Sequence, residues 1–190
     1  NEDVATDTLY SNTPAIDDGS TAAQFFIGLI SKFRSIHSLG KSDKEFVNSL
    51  MDEIRKWGAM NRLISDQAKA ELSARVLDVL RVLVIGDWQS EAKQQRQNFA
   101  ERGWKDTKSM VNNLLNMSGA PAELWLLALE YVCFLQNHVA YKSLGWRTPT
   151  EWMAGFTPDI SALLHFRFYQ PVYYVLDNTS FPKNPTERIG

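Results

Sequence analysis

An α/β layered domain is the fold this sequence predicts. Strand-like and helix-like runs alternate through its first half, and the helical runs carry their own start and stop signals. Apolar residues make up 44% of 190 positions, enough to bury one sizeable core.

The run from Val4 to Tyr10 alternates apolar and polar residues as a half-buried strand does. Asp17-Asp18-Gly19-Ser20 then supplies turn chemistry ahead of a second run, Ala22 to Ile30. Ser42-Asp43-Lys44-Glu45 has the form of a capping box. Phe46, Val47, Leu50, Met51, Ile54 and Trp57 follow at helical spacing, with Gly58 as the stop. Met60 to Ile64 suits a buried strand, Gln67 to Leu80 a helix, and Arg81 to Ile85 another buried strand.

Asp87 to Gln97, preceded by Gly86 and rich in polar side chains, reads as a flexible loop. A helix from about Phe99 to Met117 is closed by Ser118-Gly119, and Pro121 opens the next one. That helix is expected to pack through Leu124, Ala128, Tyr131, Val132, Leu135 and Val139. From Gly145 the sequence is loop-like, with Pro149, Gly155 and Pro158, before strand composition resumes from Phe166 to Leu176. The six tryptophans are scattered, as core or interface anchors are, and form no base-stacking series.

Composition excludes several classes. Cys133 is the only cysteine, so no intramolecular disulfide forms, and three histidines make no zinc cluster. A reducing, intracellular setting fits. No window approaches about 18 uninterrupted apolar residues, and the first residues do not form a signal peptide, so a protein without a membrane segment is expected. With 20 Lys+Arg against 22 Asp+Glu, any DNA contact must come from a local basic face. The chain opens directly in a strand-like run and stops at Arg188-Ile189-Gly190, as an excerpt from a longer polypeptide would.

Three carboxylates stand where a strand-helix scaffold gathers functional groups: Asp7 inside the first strand, Asp66 after the short strand ending at Ile64, and Glu101 at the start of a helix. Converging carboxylates are hard oxygen ligands of the kind Mg²⁺ takes together with waters and phosphate. Two such ions, about 3.5–4 Å apart, stabilise both the attacking and the leaving oxygen of an in-line phosphoryl displacement. Nucleophilic and P-loop mechanisms find no residues here: there is no activated cysteine, no Ser-His-Asp set and no Gly-rich phosphate loop. Each carboxylate also has a purely structural reading. Asp7 could face solvent, Asp66 could cap the following helix, and Glu101 could be the capping-box partner of Asn98. In a chain with 22 acids, spacing alone does not choose.

The surrounding residues add more. Thirty-four residues separate Asp66 from Glu101, and Glu101 lies in Gln94-Gln95-Arg96-Gln97-Asn98-Phe99-Ala100-Glu101-Arg102. This text resembles the integrases of copia-type retrotransposons, whose Asp-Asp-Glu triad has a similar spacing and whose Glu follows an Asn at a helix start. Asp7-Thr8-Leu9-Tyr10-Ser11 looks like the family's first strand, and Ser65-Asp66-Gln67-Ala68 like its second-carboxylate motif. The resemblance continues through Asn137-His138, Arg147-Thr148-Pro149, Gly155-Phe156-Thr157-Pro158-Asp159-Ile160-Ser161 and Phe166, covering nearly the whole chain. Phe99 stands where many relatives carry a small residue, and the family's upstream His/Cys zinc module has no counterpart in these residues.

The resemblance implies a ribonuclease-H-like fold: a mixed five-stranded sheet with helices on both sides over residues 1–145. Residues 146–190 would form a linker and the beginning of a small C-terminal β domain. It implies catalysis by Asp7, Asp66 and Glu101 through two Mg²⁺ or Mn²⁺ ions, with element-end DNA and target DNA as substrates. Homo-oligomerisation, residence in the nucleus or a cytoplasmic particle, and no small-molecule cofactor go with it. Asn98, Lys105 and Lys108 are the expected DNA contacts. Lys105 and Lys108 follow Glu101 at i+4 and i+7, on one side of a helix, either to hold phosphates beside the metal site or as an ordinary solvated face. The two rivals are a decayed copy kept for DNA binding or oligomerisation, and a ribonuclease H.

Overall fold

The computed structural model describes residues 2–39, 43–65, 73–89, 99–161 and 165–173. Its elements in chain order are strands β1 (Asp3–Tyr10), β2 (Ala22–Gly28) and β3 (Arg34–Leu39), helix α1 (Asp43–Trp57), β4 (Arg62–Ser65), α2 (Ala74–Val82), β5 (Gly86–Gln89), α3 (Phe99–Ser118), α4 (Trp125–Asn137) and α5 (Pro149–Ala154). A single turn of 3-10 helix, Ala122–Leu124, leads into α4, and a second, Lys142–Leu144, precedes α5. No helix among the described residues is long and apolar enough to cross a membrane.

The five strands form one mixed sheet in the order β3-β2-β1-β4-β5. The first three make an antiparallel meander, while β4 joins β1 and β5 joins β4 in parallel. Alternation along the central strands sends side chains to two separate cores. Ala5, Leu9, Ala23, Phe25, Ile27 and Ile64 face α3 and α4. Phe26 and Leu63 face the other way, where Phe46 and Leu50 of α1 and Val76 and Leu80 of α2 cover them. Helices on both faces of a mixed five-stranded sheet are what the resemblance implied.

Several elements differ from their sequence-based expectation. Arg34–Leu39 is a strand where none was expected. Arg81 to Ile85 is not a strand: Arg81 and Val82 finish α2, and the parallel strand is Gly86–Gln89. The helix ends in a Schellman pattern, with the Ile85 N–H donating to the Leu80 carbonyl at 2.8 Å and that of Val84 to Arg81 at 3.2 Å. Val84 stands where glycine usually does, at φ +55°, and its side chain is 88% exposed. A β-branched residue in this region is strained by about 1–2 kcal/mol, so Val84→Gly is expected to raise stability by roughly 1 kcal/mol, readable as a higher urea midpoint.

Asp87, Trp88 and Gln89 of the expected flexible loop are strand, and the rest of that loop, Ser90 to Gln97, lies outside the described residues. So does Gln67 to Leu72 of the second expected helix. On α4 the buried side chains are Leu126, Ala128, Leu129, Val132, Cys133, Gln136 and Asn137, whereas Val139 lies past the helix and is exposed. The face is therefore rotated from the expected one. Thr148 and Glu151 form a capping box around Pro149, so a short helix replaces the expected loop. Phe166 to Tyr173 form no strand. Phe168 packs against the α3–α4 core, its ring 5.5 Å from that of Tyr131.

Candidate active site

Asp7 sits in the middle of the sheet, on a strand paired on both sides. Its register partner is Phe25 of β2. Paired residues share a face, so the half-buried Asp7 lies between Ala5 and Leu9 on the side that α3 and α4 cover.

The first turn of α3 is drawn onto that same row. A Cβ at Gly103 would stand 2.9 Å from Ile27 Cδ1 and 3.7 Å from Phe25 Cε1, so a larger residue here would force the Ile27 side chain to shift, and glycine lets the helix lie close on β2. Trp104 follows, its ring 6.3 Å from that of Phe25. Gly103 was missed in the sequence, yet an isolated glycine inside a helical pattern is a signal of close packing.

The direction of Glu101 follows from helical geometry. At 3.6 residues per turn, Gly103, Thr107 and Met110 share one flank of α3. That flank meets α4: Thr107 Oγ1 lies 3.0 Å from Gln136 Oε1, and Gln136 Nε2 reaches Met110 Sδ at 3.2 Å. Glu101, Lys105 and Lys108 share the opposite flank, and all three are exposed. Because α4 lies over β3 while α3 lies over β1 and β2, the flank turned away from α4 points across β1 toward β4. Parallel pairing sets Ala5 beside Ile64, so β4 ends at Ser65 about level with Asp7. Asp7 and the first turn of α3, which carries Glu101, thus lie on the same face of the sheet.

Asp66 and Asn98 lie outside the described residues. Among the described residues no group of three or more His, Cys, Asp or Glu side chains is arranged to hold a metal ion. The two described carboxylates supply hard oxygen donors, and the softer donors lie elsewhere. His37 is on the α1 face of β3, its Nε2 2.9 Å from Glu53 Oε2, an oxygen that also accepts from Ser35 Oγ at 2.7 Å. Cys133 is buried in α4, and burial pushes its thiol up to about 12. A thiol so poor in thiolate is inert. Iodoacetamide at pH 8 is expected to leave the native protein unlabelled and to modify Cys133 after denaturation, as intact mass would register.

Asn137, noted in the sequence only as part of a motif, has a structural task. Its Oδ1 accepts from the Arg34 N–H at 2.8 Å and its Nδ2 donates to the Arg34 carbonyl at 2.7 Å, pinning the end of α4 to β3.

No protein-family model matches this chain, nor does any curated protein. Solved structures do. The HTLV-2 integrase catalytic core domain, in complex with magnesium and in a trimeric form, aligns with a TM-score of 0.62 at 14% identity, over 80% of this chain and 96% of its own. The BIV integrase catalytic core domain gives 0.62 at 14% identity, over 81% and 94%. A chain of the simian T-cell lymphotropic virus intasome, in complex with PP2A regulatory subunit B56 gamma, gives 0.65 at 15% identity, over 95% of this chain and 60% of that one. At these identities the likeness is one of architecture, and this chain has the fold of the retroviral integrase catalytic cores.

Proposed function

We propose that the chain is the catalytic core of a retroelement integrase of the copia type, a metal-dependent polynucleotidyl transferase acting through Asp7, Asp66 and Glu101. The observation that carries this reading is the approach of α3 to the Asp7–Phe25 row at Gly103, with the Glu101 flank turned toward the end of β4. The chain position of Asp66, directly after β4, supports it, as does the likeness to integrase cores. Residues 1–145 would be the core and 146–190 a linker and the start of a second domain. The trimeric form of the HTLV-2 core and the simian T-cell lymphotropic virus intasome support homo-oligomers on DNA; the nucleus or a cytoplasmic particle would be their place.

The donor set fits Mg²⁺ or Mn²⁺, since carboxylate oxygens are the ligands both take. Bound there, a divalent pair would stabilise the charge on the entering and departing oxygens. The chain's own residues then have positional roles. Asp7, paired with Phe25 of β2 on the central strand, and Glu101, on a helix packed on the sheet, hold their carboxylates without rearrangement. Water, and then the freed 3′ hydroxyl, attacks phosphorus; one P–O bond forms and one breaks at each step.

Lys105 and Lys108, on the flank of Glu101, would hold phosphates beside the scissile bond. Changing both to Ala is expected to weaken DNA binding across sequences and to flatten the slope of log K against log salt by about 0.9 per lost contact. An unchanged slope returns both to a solvated face.

The reading is tested with a branched DNA that mimics a strand-transfer product, in Mg²⁺ or Mn²⁺, beside an RNA–DNA hybrid. Resealing of the branched DNA is expected. Cleavage of the hybrid alone would make the chain a ribonuclease H, and DNA binding without either activity would make it a decayed copy.

A further inference from the structure

We propose that the outer edge of β3 is a docking site for an extended, basic peptide segment of a partner protein, added to the sheet as a sixth strand. The first observation concerns backbone pairing. In an antiparallel ladder alternate residues turn their N–H and C=O the same way. Arg34 turns its pair outward, away from β2, and Asn137 meets both with a side-chain amide that does the work of a neighbouring strand. Ile36 and Ser38, paired in register with Phe25 and Ala23, turn the same way. Among the described residues their outward groups have no backbone partner. The edge is therefore closed at one rung and open at the next two, which is the state strand addition uses.

The second observation is shape. Helices α1 and α4 both pack on β3, one on each face. Two clefts run along the strand and both include Ile36 and His37: one of about 540 Å³ between α1 and α4, and one of about 560 Å³ between α1 and the β1–β2 connection. The edge is recessed. A lone extended strand fits along it.

Charge selects the occupant. Asp18, Glu45 and Asp52 line the cleft at the Ser38 end. Among the described residues no lysine or arginine lines that cleft. A strand entering here gains by bringing Lys or Arg. The other cleft carries Arg34, Lys56 and Glu130, and between them Phe33, Trp57, Cys133 and Phe134 offer an apolar wall against which an apolar side chain fits. An extended segment with basic and apolar residues in alternation meets both demands, because its side chains point to opposite faces. This inference is independent of the strand-transfer reading.

The probe is the acetylated amide Thr-Lys-Val-Lys-Val-Lys-Thr, with two controls: the same peptide N-methylated at alternate residues, and a version with Glu for Lys. Fluorescence anisotropy is expected to register binding of the first only, and NMR hydrogen exchange to show the Ile36 and Ser38 amides becoming protected. Ser38→Pro removes one outward N–H, a change edge strands tolerate, together with the hydroxyl that donates to Asp18 at the surface. It is expected to weaken binding at least tenfold at an unchanged Tm, as is E45K combined with D52K. Absence of binding, equal binding of the N-methylated peptide, or protection that follows protein concentration without peptide would each overturn the proposal. Should Ser38→Pro fail to fold, the N-methylated peptide decides alone.

Discussion

Glu101→Gln is expected to leave folding and DNA binding near normal and to reduce resealing of a branched DNA to background. The change is nearly isosteric and removes one negative charge from an exposed position in the first turn of α3. A side chain that merely caps a helix survives it, because Gln serves at the same capping-box position; the loss would be at most about 1 kcal/mol of stability. A side chain that helps hold a divalent pair does not, because a neutral amide is a poorer ligand for Mg²⁺ and in-line displacement depends on both ions. Asp7→Asn should behave alike, since Asp7 lies on the same face. Wild-type turnover in Glu101→Gln, beside an active parent, would refute the triad.

The largest loss of stability among polar changes is expected for Asn137→Ala. Asn137 is 6% exposed, and its amide satisfies both outward backbone groups of the buried Arg34. Truncation leaves a buried N–H and a buried carbonyl unpaired, at about 1–3 kcal/mol each, so a loss of roughly 2–4 kcal/mol is expected. Asn137→Asp keeps the acceptor and loses the donor, and should fall between parent and Ala. Urea unfolding at constant m-value would measure both. A loss below about 0.5 kcal/mol for Asn137→Ala, as is usual for surface changes, would mean that water replaces the amide without penalty.

Elements whose local chemistry agrees with their burial were legible in the sequence. The spacing of Phe46, Leu50, Ile54 and Trp57 with Gly58 behind them marks α1, and the Gly58 N–H does donate to the Ile54 carbonyl at 2.8 Å. Ser118-Gly119 marks the end of α3, and Gly119 takes φ +67°. Two strands escaped because edge strands need little apolar surface. Arg34–Leu39 carries Ser, His and Ser, whose partners are Glu53 and Asp18 rather than a core. Gly86–Gln89 is equally polar, while the apolar residues before it belong to a helix end at which Val82 and Val84 face outward. On α4, apolar residues occupy most of the circumference, so periodicity could not single out the buried face, nor show that Gln136 and Asn137 lie on it. As for the candidate site, the triad came from resemblance and not from spacing. The device that brings α3 to Asp7 is a glycine, a residue without a side chain to attract notice.

The mixed sheet has a kinetic consequence. Strands β1, β2 and β3 follow one another in the chain and pair antiparallel, so they can zip together locally and Asp7 acquires its β2 neighbour early. The parallel partner of β1 arrives only when Ile64 finds Ala5, after all of α1 and the turns around it have been threaded. Closing so long a loop costs entropy before any contact rewards it, which makes non-local parallel pairing slow. Until then the open side of β1 and the apolar face of β2 stand exposed, the kind of surface that drives aggregation of folding intermediates. The order in which the chain condenses therefore leaves the Asp7 row half-built in any trapped species. Such a species would hold a native-like meander and bind no substrate, and a partner or DNA that engages only the finished sheet would pull the last step forward by mass action.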